Sequence, residues 1–179
     1  MYVNQSSAFF ARFDAAEFAL CVRMNGSCDH RSVRAFFRII SRLGDGVAWY
    51  VLMLVLPLCF GERGVVATGV LALTGATGLL LYKALKARLV RERPCFTFES
   101  VRAATRALDR YSFPSGHTLH AVAFSSVAIH YFPHLAWVLV PFTVLIAASR
   151  VILGLHYPSD VCAGALLGLG LARIAISVF

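Results

Sequence analysis

Charge is scarce in this sequence. Only 15% of its 179 residues are Asp, Glu, Lys or Arg, whereas 59% are hydrophobic; an ordinary soluble domain has about 25% charged residues. A soluble chain of this length cannot hide so much apolar surface, so most of that surface must face lipid. The composition excludes a disordered chain, a collagen-like chain and most soluble enzyme folds. It favours an integral membrane protein.

Acidic residues and paired cysteines are also few. Nine acids stand against 17 bases, which gives a net charge of +8. Such an excess can indicate a nucleic-acid partner, but the bases lie between apolar blocks rather than on one soluble face, so we expect none. The five cysteines are odd in number and include no Cys-x-x-Cys pair, so neither a disulfide framework nor a zinc ribbon is indicated.

The N-terminal stretch lacks the uninterrupted apolar core of a cleavable signal peptide. Residues 1–24 carry four charges that interrupt it: Arg12, Asp14, Glu17 and Arg23. Apolar residues alternate with these charges at roughly helical spacing: Phe9, Phe10, Phe13, Phe18 and Leu20. This pattern predicts an amphipathic helix that lies in the headgroup region.

A second basic amphipathic stretch, from Arg31 to Arg42, leads through Gly44-Asp45-Gly46 into the long apolar runs. A spanning helix needs about 20 mainly apolar residues. The run 46–60 is short for this, so we expect its helix to begin upstream, near Phe36. The remaining runs are 65–82, 118–149 and 161–179, and the second of these divides into two helices at Phe132-Pro133-His134.

These runs predict an all-α membrane bundle of about five transmembrane helices, preceded by interfacial helix. We expect a single domain over 1–179, with 1–45 as the interfacial region and 46–179 as the transmembrane catalytic bundle. Gly69, Gly75 and Gly78 in the second span predict close helix packing, since small residues let backbones approach in lipid.

The loop from Lys86 to Phe113 is unusually basic, with a local net charge of +4. Its bases are Lys86, Arg88, Arg91, Arg93, Arg102, Arg106 and Arg110, and its acids are Glu92, Glu99 and Asp109. One interpretation is a positive-inside loop that sets the topology. The other is a binding site for an anionic headgroup.

Three short segments bear on that choice. In the first, Lys86 and Arg93 are seven residues apart, so a helix places them on one face, where they can converge on one anion before Pro94 ends the helix. In the second, Pro114-Ser115-Gly116-His117 precedes an apolar run. Ser115 is a good helix N-cap, and the backbone N–H groups of a helix start can bind an anion.

The third segment runs from Ser149-Arg150 to His156 and Asp160. A guanidinium at the end of an apolar helix is costly without a partner. Asp160 lies four residues after His156, so a turn can bring its carboxylate to an imidazole nitrogen. Each segment alone also has an ordinary structural explanation, namely a basic flank, a capped helix start or a loop ion pair.

The three segments gain meaning together. If five helices pack antiparallel, all three fall on the same side of the membrane. Three cations, a helix N-terminus, two histidines and one carboxylate then meet at one depth, which indicates a functional site.

The order Lys-x6-Arg-Pro, Pro-Ser-Gly-His and Ser-Arg-x5-His-x3-Asp resembles the signature of the type 2 phosphatidic acid phosphatase superfamily. Every spacing is kept over residues 86–160. The resemblance implies that His156 is the nucleophile and forms a phosphohistidine, that Asp160 holds its other nitrogen, and that His117 is the general acid. The residues implied to hold the phosphate oxygens are Lys86, Arg93, Ser115, Gly116 and Arg150.

We expect no metal and no cofactor, because the site already supplies three cations and the chain lacks a carboxylate cluster for magnesium. His117 and His120 have a spacing that could ligate zinc, but no further ligands accompany them. The partners expected are therefore the lipid bilayer and a membrane lipid phosphate.

The leading hypothesis is a metal-independent phosphatase for a lipid phosphomonoester or diphosphate, such as phosphatidic acid, phosphatidylglycerophosphate, undecaprenyl diphosphate or a lipid A phosphate. Alternatives are a lipid phosphotransferase, a membrane sugar phosphatase and a non-catalytic channel or transporter. A haloperoxidase with a similar oxyanion site is disfavoured by the hydropathy. The resemblance further implies a bacterial inner membrane with the site at the periplasmic face.

Overall fold

The computed structural model describes residues 5–105 and 110–179, with side chains from residue 14 onward. Within these ranges the chain is helical and has no strand, apart from an isolated bridge between Glu92 and Tyr111. The prediction of an all-α fold is therefore confirmed. Several residues used above lie outside this description: Arg106 and Asp109, and the side chains of Phe9, Phe10, Arg12 and Phe13.

Seven α-helices follow one another along the described chain. They are α1 (Gln5–Gly26), α2 (Arg31–Arg42), α3 (Ala48–Arg88), α4 (Pro94–Thr97), α5 (Gly116–Tyr131), α6 (Ala136–Ile152) and α7 (Pro158–Val178).

Helix α3 is a hairpin rather than a single rod. Gly61 has φ of 55°, a left-handed conformation that glycine adopts without a steric cost, and the helix reverses there. The hydroxyl of Thr68 donates to the carbonyl of Met53 at 3.0 Å across the hairpin. An ideal Cβ on Gly64 would lie 2.0 Å from the Leu56 carbonyl oxygen, so only glycine allows this approach. The chain thus forms two antiparallel rods, 48–60 and 62–88.

Three helical segments are long and apolar enough to cross a membrane: Arg31–Arg88, Pro133–Ile152 and Pro158–Val178. The first supplies both rods of α3. Helix α5 has 16 residues and is apolar, and half of its side chains are buried among the other helices. All five apolar helices predicted from the sequence are present.

Two boundaries were predicted wrongly. The helix that carries Lys86 ends at Arg88, so Arg93 lies beyond it in extended backbone. Pro94 begins α4 instead of ending α3. Lys86 and Arg93 therefore do not share a helical face.

The first span does not begin near Phe36, because α2 ends at Arg42 and the helix direction changes at Gly46, where φ is 137°. A five-residue π-helical stretch over Leu43–Val47 joins the two helices. Phe36 instead lies on α2 and is 47% exposed.

Glycines allow α5 to pack tightly against its neighbours. Ideal Cβ atoms on Gly164 and Gly168 would lie 2.5 Å from the carbonyl oxygens of Ser115 and Leu119, so α7 lies directly on α5. Gly75 and Gly78 lie on the face of α3 that packs closely against α5, as the sequence predicted. That prediction was wrong for Gly69, which has no neighbouring atom within 4 Å of its Cβ position.

Helix α1 is docked on the bundle at the same end as the turn between α6 and α7. The Asn25 amide donates to the carbonyl of Ile152 at 2.9 Å and to that of Arg102 at 3.0 Å. The Phe18 and Phe98 rings lie 4.1 Å apart. This docking brings the N-terminal segment next to the segments that carry the three motifs.

Candidate active site

The structure brings the three motif segments together at one end of the bundle. Arg93 Nη1 donates to the Leu155 carbonyl at 2.8 Å and lies 3.2 Å from His156 Nε2, which joins the first segment to the third. The Ser115 N–H donates to the Asp160 carbonyl at 3.1 Å, which joins the second to the third.

His156 lies in the turn between α6 and α7 and is only 2% exposed. The Arg93 guanidinium can only donate, so Nε2 accepts and carries no proton, which leaves the proton of the neutral ring on Nδ1. Burial, followed by the positive charges of Arg150 and Arg93, lowers the pKa of His156 well below its usual 6.5. The imidazole is therefore neutral at pH 7, with an unprotonated nitrogen beside Arg93.

Asp160 is completely buried in the first turn of α7. Its Oδ2 accepts the Tyr157 N–H at 2.8 Å and lies 3.7 Å from His156 Nδ1, slightly beyond hydrogen-bond length. Its Oδ1 accepts from Arg91 at 2.9 Å. The carboxylate is thus held on both oxygens, with the one nearer to His156 facing the protonated ring nitrogen.

His117 is the second residue of α5, and its Nε2 makes an ion-pair contact with Asp45. Sequence reasoning missed Asp45. The left-handed Gly46 redirects the chain at this point, and an ideal Cβ on Gly44 would crowd Ile146 at 3.1 Å. A lone acid between two glycines at the entry to an apolar run was the available signal.

The other two predicted cations lie at the same end. Arg150 is 4% exposed and donates through Nη1 to Ser41 Oγ at 2.5 Å, and its charge acts on both His117 and His156. The Lys86 ammonium donates to the Tyr82 hydroxyl at 2.6 Å. Ser41 and Tyr82 are further residues that sequence reasoning did not single out.

The predicted helix cap is present. Ser115 is fully buried, and its Oγ lies 3.0 Å from Thr118 Oγ1 and 3.5 Å from the Thr118 nitrogen. Gly116 is the first residue of α5, so its N–H stands at a helix N-terminus, where anions bind favourably.

The ion pair between Glu17 and Arg91 was also not predicted from the sequence. Glu17 was assigned to the charged side of an amphipathic helix and Arg91 was counted only among the loop bases. In the structure Arg91 Nη2 donates to Glu17 Oε2 at 2.6 Å, and Glu17 is 6% exposed. Glu17 therefore lies on a face of α1 that docks on the bundle.

An apolar cavity of about 500 Å³ opens beside His117, between the two rods of α3 and helix α5. Its polar end contains Asp45, Tyr82 and Gly116, and its walls are mainly apolar. The wall residues are Trp49, Tyr50, Met53, Ala72, Gly75, Ala76, Leu79 and Phe124. The cavity thus places an apolar space next to His117 and the N-terminus of α5.

The described residues do not fit a metal site. No group of three or more His, Cys, Asp or Glu side chains lies close together within the described ranges. His120, the partner in a potential zinc pair, has Nδ1 2.9 Å from the Gly116 carbonyl oxygen and Nε2 3.3 Å from that of Gly75. Both of its ring nitrogens thus face backbone oxygens.

The sequence of this chain is similar to a known protein family and to individual proteins of known name. The model of the PAP2 superfamily matches residues 64–179. A protein named Probable lipid phosphate phosphatase beta, from Arabidopsis thaliana, is 33% identical over 115 residues, which cover 48% of this chain and 53% of that protein.

Two prokaryotic proteins are similar over shorter stretches. The undecaprenyl-diphosphatase of Sulfolobus acidocaldarius is 36% identical over 69 residues, covering 38% of this chain and 34% of its own. The lipid A 1-phosphatase of Rhizobium johnstonii is 35% identical over 68 residues, covering 38% and 28%. The chain spans about half, or less, of the length of these three relatives.

Two crystal structures resemble the whole bundle. Aquifex aeolicus LpxE gives a TM-score of 0.77 at 27% identity, covering 89% of this chain and 93% of that one. The first transmembrane PAP2 type phosphatidylglycerolphosphate phosphatase from Bacillus subtilis gives 0.77 at 25% identity, covering 93% and 86%. The fold is thus shared over nearly the entire chain.

Proposed function

This chain belongs to the PAP2 superfamily, and from that premise we propose that it is a membrane phosphatase that hydrolyses a lipid phosphate through a phosphohistidine. One observation carries the proposal. A buried, neutral histidine, His156, presents an unprotonated nitrogen beside the Arg93 guanidinium, at the same end of the bundle as His117, which lines an apolar cavity. The names of the relatives, all lipid or diphosphate phosphatases, agree with this chemistry.

In the first step, the His156 Nε2 lone pair attacks the phosphorus. The N–P bond forms as the P–O bond to the lipid breaks, and His117 gives its proton to the departing oxygen. Asp160 stabilises the positive charge that develops on the His156 ring. The products are phosphohistidine and a lipid alcohol, or a lipid monophosphate where the substrate is a diphosphate.

In the second step, water attacks the phosphohistidine. His117, now neutral, takes a proton from that water, and the N–P bond breaks to release inorganic phosphate and restore His156. Lys86, Arg93 and Arg150, with the N-terminus of α5 at Ser115 and Gly116, hold the equatorial oxygens in both steps. Positioned donors and cations are the main requirement of phosphoryl transfer.

Asp45 completes the acid side of the site. A carboxylate beside an imidazole favours the protonated ring relative to the same site without it. Its contact with His117 Nε2 therefore supports the form of His117 that can protonate a lipid alkoxide.

We further propose that the reaction needs no metal ion, because Lys86, Arg93 and Arg150 lie at this end of the bundle and can supply the positive charge. This differs from phosphatases in which bound metal ions clamp the transferring group. Activity that persists in a chelator supports this part of the proposal, whereas loss that is restored by a divalent cation contradicts it.

The apolar cavity is the proposed seat of the lipid tail. The cavity extends from His117 between the two α3 rods and α5. The lipid tail can therefore remain in an apolar environment while the phosphate of the same lipid reaches His156. We propose that residues 1–179 act as one catalytic unit at the periplasmic face of a bacterial inner membrane.

The test is a lipid panel with the purified protein in detergent and EDTA. Phosphatidic acid, phosphatidylglycerophosphate, undecaprenyl diphosphate and a lipid A phosphate are offered in turn, and inorganic phosphate is measured. Product analysis with a lipid alcohol present detects phosphotransfer. We expect wild-type protein to release phosphate from at least one of them, and His156→Ala to release none.

His130→Ala is the matched control, because His130 is an exposed histidine at the far end of α5. It should retain wild-type activity. Quenching in alkaline detergent with substrate that carries ³²P in the transferred phosphoryl group should trap a phosphoprotein in the wild type, whose label is lost on acidification, and none in His156→Ala. Phosphate release by a folded His156→Ala variant contradicts the mechanism.

A further inference from the structure

A chain of ion pairs runs from a buried glutamate on α1, through Arg91, to the buried carboxylate behind His156. Glu17 is 6% exposed, and both of its oxygens are used. Its Oε2 accepts from Arg91 Nη2 at 2.6 Å, and its Oε1 accepts the Ser159 N–H at 2.7 Å. One carboxylate thus holds the loop guanidinium and also the first turn of α7.

Arg91 is fixed in both direction and plane. Its Nη1 donates to Asp160 Oδ1 at 2.9 Å and to Ser159 Oγ at 2.7 Å. Its guanidinium carbon lies 3.8 Å from the centroid of the Tyr157 ring, so the group stacks on the residue next to His156. A lysine ammonium can supply the charge but not this planar fork.

These contacts restrict the orientation of the Asp160 carboxylate. Arg91 occupies Oδ1, and the Tyr157 N–H occupies one side of Oδ2, so rotation of the carboxylate is blocked. Its Oδ2 also lies 3.7 Å from His156 Nδ1. Contacts that originate on α1 therefore help to set the position of the carboxylate relative to the imidazole.

We propose that Glu17 and Arg91 are positioning residues for the reaction at His156: they orient Asp160, and through it the imidazole. This inference rests on the proposed function. It gives α1 a role beyond contact with the membrane, because the helix supplies the far end of the chain of contacts that leads to the nucleophile.

A purely structural role explains this cluster less well. Burying the two carboxylates Glu17 and Asp160 costs desolvation energy, and apolar residues of the same size often stabilise a fold at least as well. The arginine–carboxylate pairs Arg110–Glu92 and Arg102–Asp29 lie on the surface instead, with side chains 41% to 82% exposed. The Glu17–Arg91–Asp160 cluster differs from them because its carboxylates are buried and it contacts the segment that carries His156.

The test compares two glutamates, each paired with an arginine. Glu17→Gln keeps the shape of the side chain and removes its charge, and Glu92→Gln makes the same change in the surface pair. We expect Glu17→Gln to lower kcat by roughly 10- to 100-fold, the scale of a misplaced catalytic group, while KM changes by less than about threefold. Glu92→Gln should match the wild type.

Two further measurements separate positioning from loss of structure. Competitive inhibition by inorganic phosphate should be unchanged in Glu17→Gln, because the phosphate-holding cations are untouched, whereas phosphoenzyme formation should slow as much as kcat. Glu17→Asp should recover part of the loss. Arg91→Lys should lower kcat by roughly 10- to 100-fold, since it keeps the charge and loses the fork.

The outcomes distinguish the two levels of the proposal. Wild-type protein that releases phosphate from no lipid phosphate refutes the proposed function. An active wild type with an equally active Glu17→Gln or Arg91→Lys refutes the positioning role. A fall in kcat matched by weaker phosphate inhibition and a lower unfolding temperature also refutes it. Should Glu17→Gln aggregate in detergent, Glu17→Asp and Arg91→Lys decide the question, because they keep every buried charge.

Discussion

The charged residues at the two ends of the helical bundle differ in their exposure to solvent. At one end, Glu17, Arg93, Arg150 and Asp160 are all less than 7% exposed. At the other, Glu62 and Arg63 follow the Gly61 turn and are exposed, and Arg63 lies over the Phe132 ring at 5.5 Å. Both ends are built from helix turns capped by aromatic and apolar residues. Only one of them places charges where water cannot reach.

This difference is informative because burial of charge is costly. An exposed arginine beside a ring stabilises its surroundings by a modest amount and tolerates replacement. A buried guanidinium is retained only where each of its contacts is needed, which near lipid indicates function. The buried end of the bundle is therefore where substitutions should matter for activity.

The largest expected effect comes from making one substitution at both ends. Arg93→Lys removes the fork that reaches the Leu155 carbonyl and His156 Nε2, and we expect kcat/KM to fall by roughly 100-fold or more. Arg63→Lys should change it by less than about twofold, as expected for a surface site. Phosphate release from the best lipid substrate measures both. Similar losses at the two ends would remove the functional basis of the comparison.

A smaller and more selective effect is expected from Asp45→Asn. If Asp45 supports His117 as the acid, the substitution should slow hydrolysis of a lipid phosphomonoester by roughly 10-fold, because an alkoxide needs a proton to leave. Hydrolysis of p-nitrophenyl phosphate, whose leaving group needs little protonation, should change by less than about threefold. Equal losses on both substrates would instead assign Asp45 to the binding of phosphate or to folding.

The smallest effect is a shift along the pH axis. Burial and the charges of Arg150 and Arg93 lower the pKa of His156 below 6.5, so its neutral, nucleophilic form persists as the pH falls. The acidic limb of kcat/KM should therefore lie below pH 6.5. Arg150→Gln removes one of the cations that lower this pKa and should move that limb toward neutral pH.

The same profile has a matched control in Arg63→Gln, which should leave the limb in place. The charged or titratable groups that also act on the His156 ring are His117, Lys86 and Asp160. A limb that does not move in Arg150→Gln would show that a group other than His156 controls it.

The helices and the three motifs could be predicted from sequence because their signals are local. Apolar runs of 15 to 20 residues and a break at Phe132-Pro133-His134 specify the spans, and the spacing within each motif is short. The Gly61 turn between the first two spans follows in the same way, since a glycine and two charged residues separate two apolar runs.

The missed features depend on contacts between distant residues. Glu17 and Arg91 are 74 residues apart, and helical periodicity in α1 shows that one face is polar without showing which side docks on the bundle. Asp45 contacts His117 because the chain turns at Gly46, and the hydropathy pattern of the sequence gives no sign of that turn. For the same reason the first span was placed too far upstream.

The arrangement of the cavity separates two tasks within one small bundle. Most of its lining belongs to α3, whereas the groups proposed to act on phosphate, apart from Lys86 and Arg93, lie at or near the ends of α5, α6 and α7, with α5 and α7 in direct backbone contact at Gly164 and Gly168. Substitutions along the α3 hairpin can therefore change the shape of the cavity for a hydrocarbon chain without moving the catalytic groups at the ends of α5, α6 and α7. A family built this way can acquire new lipid preferences through its first two spans and leave its last three unaltered.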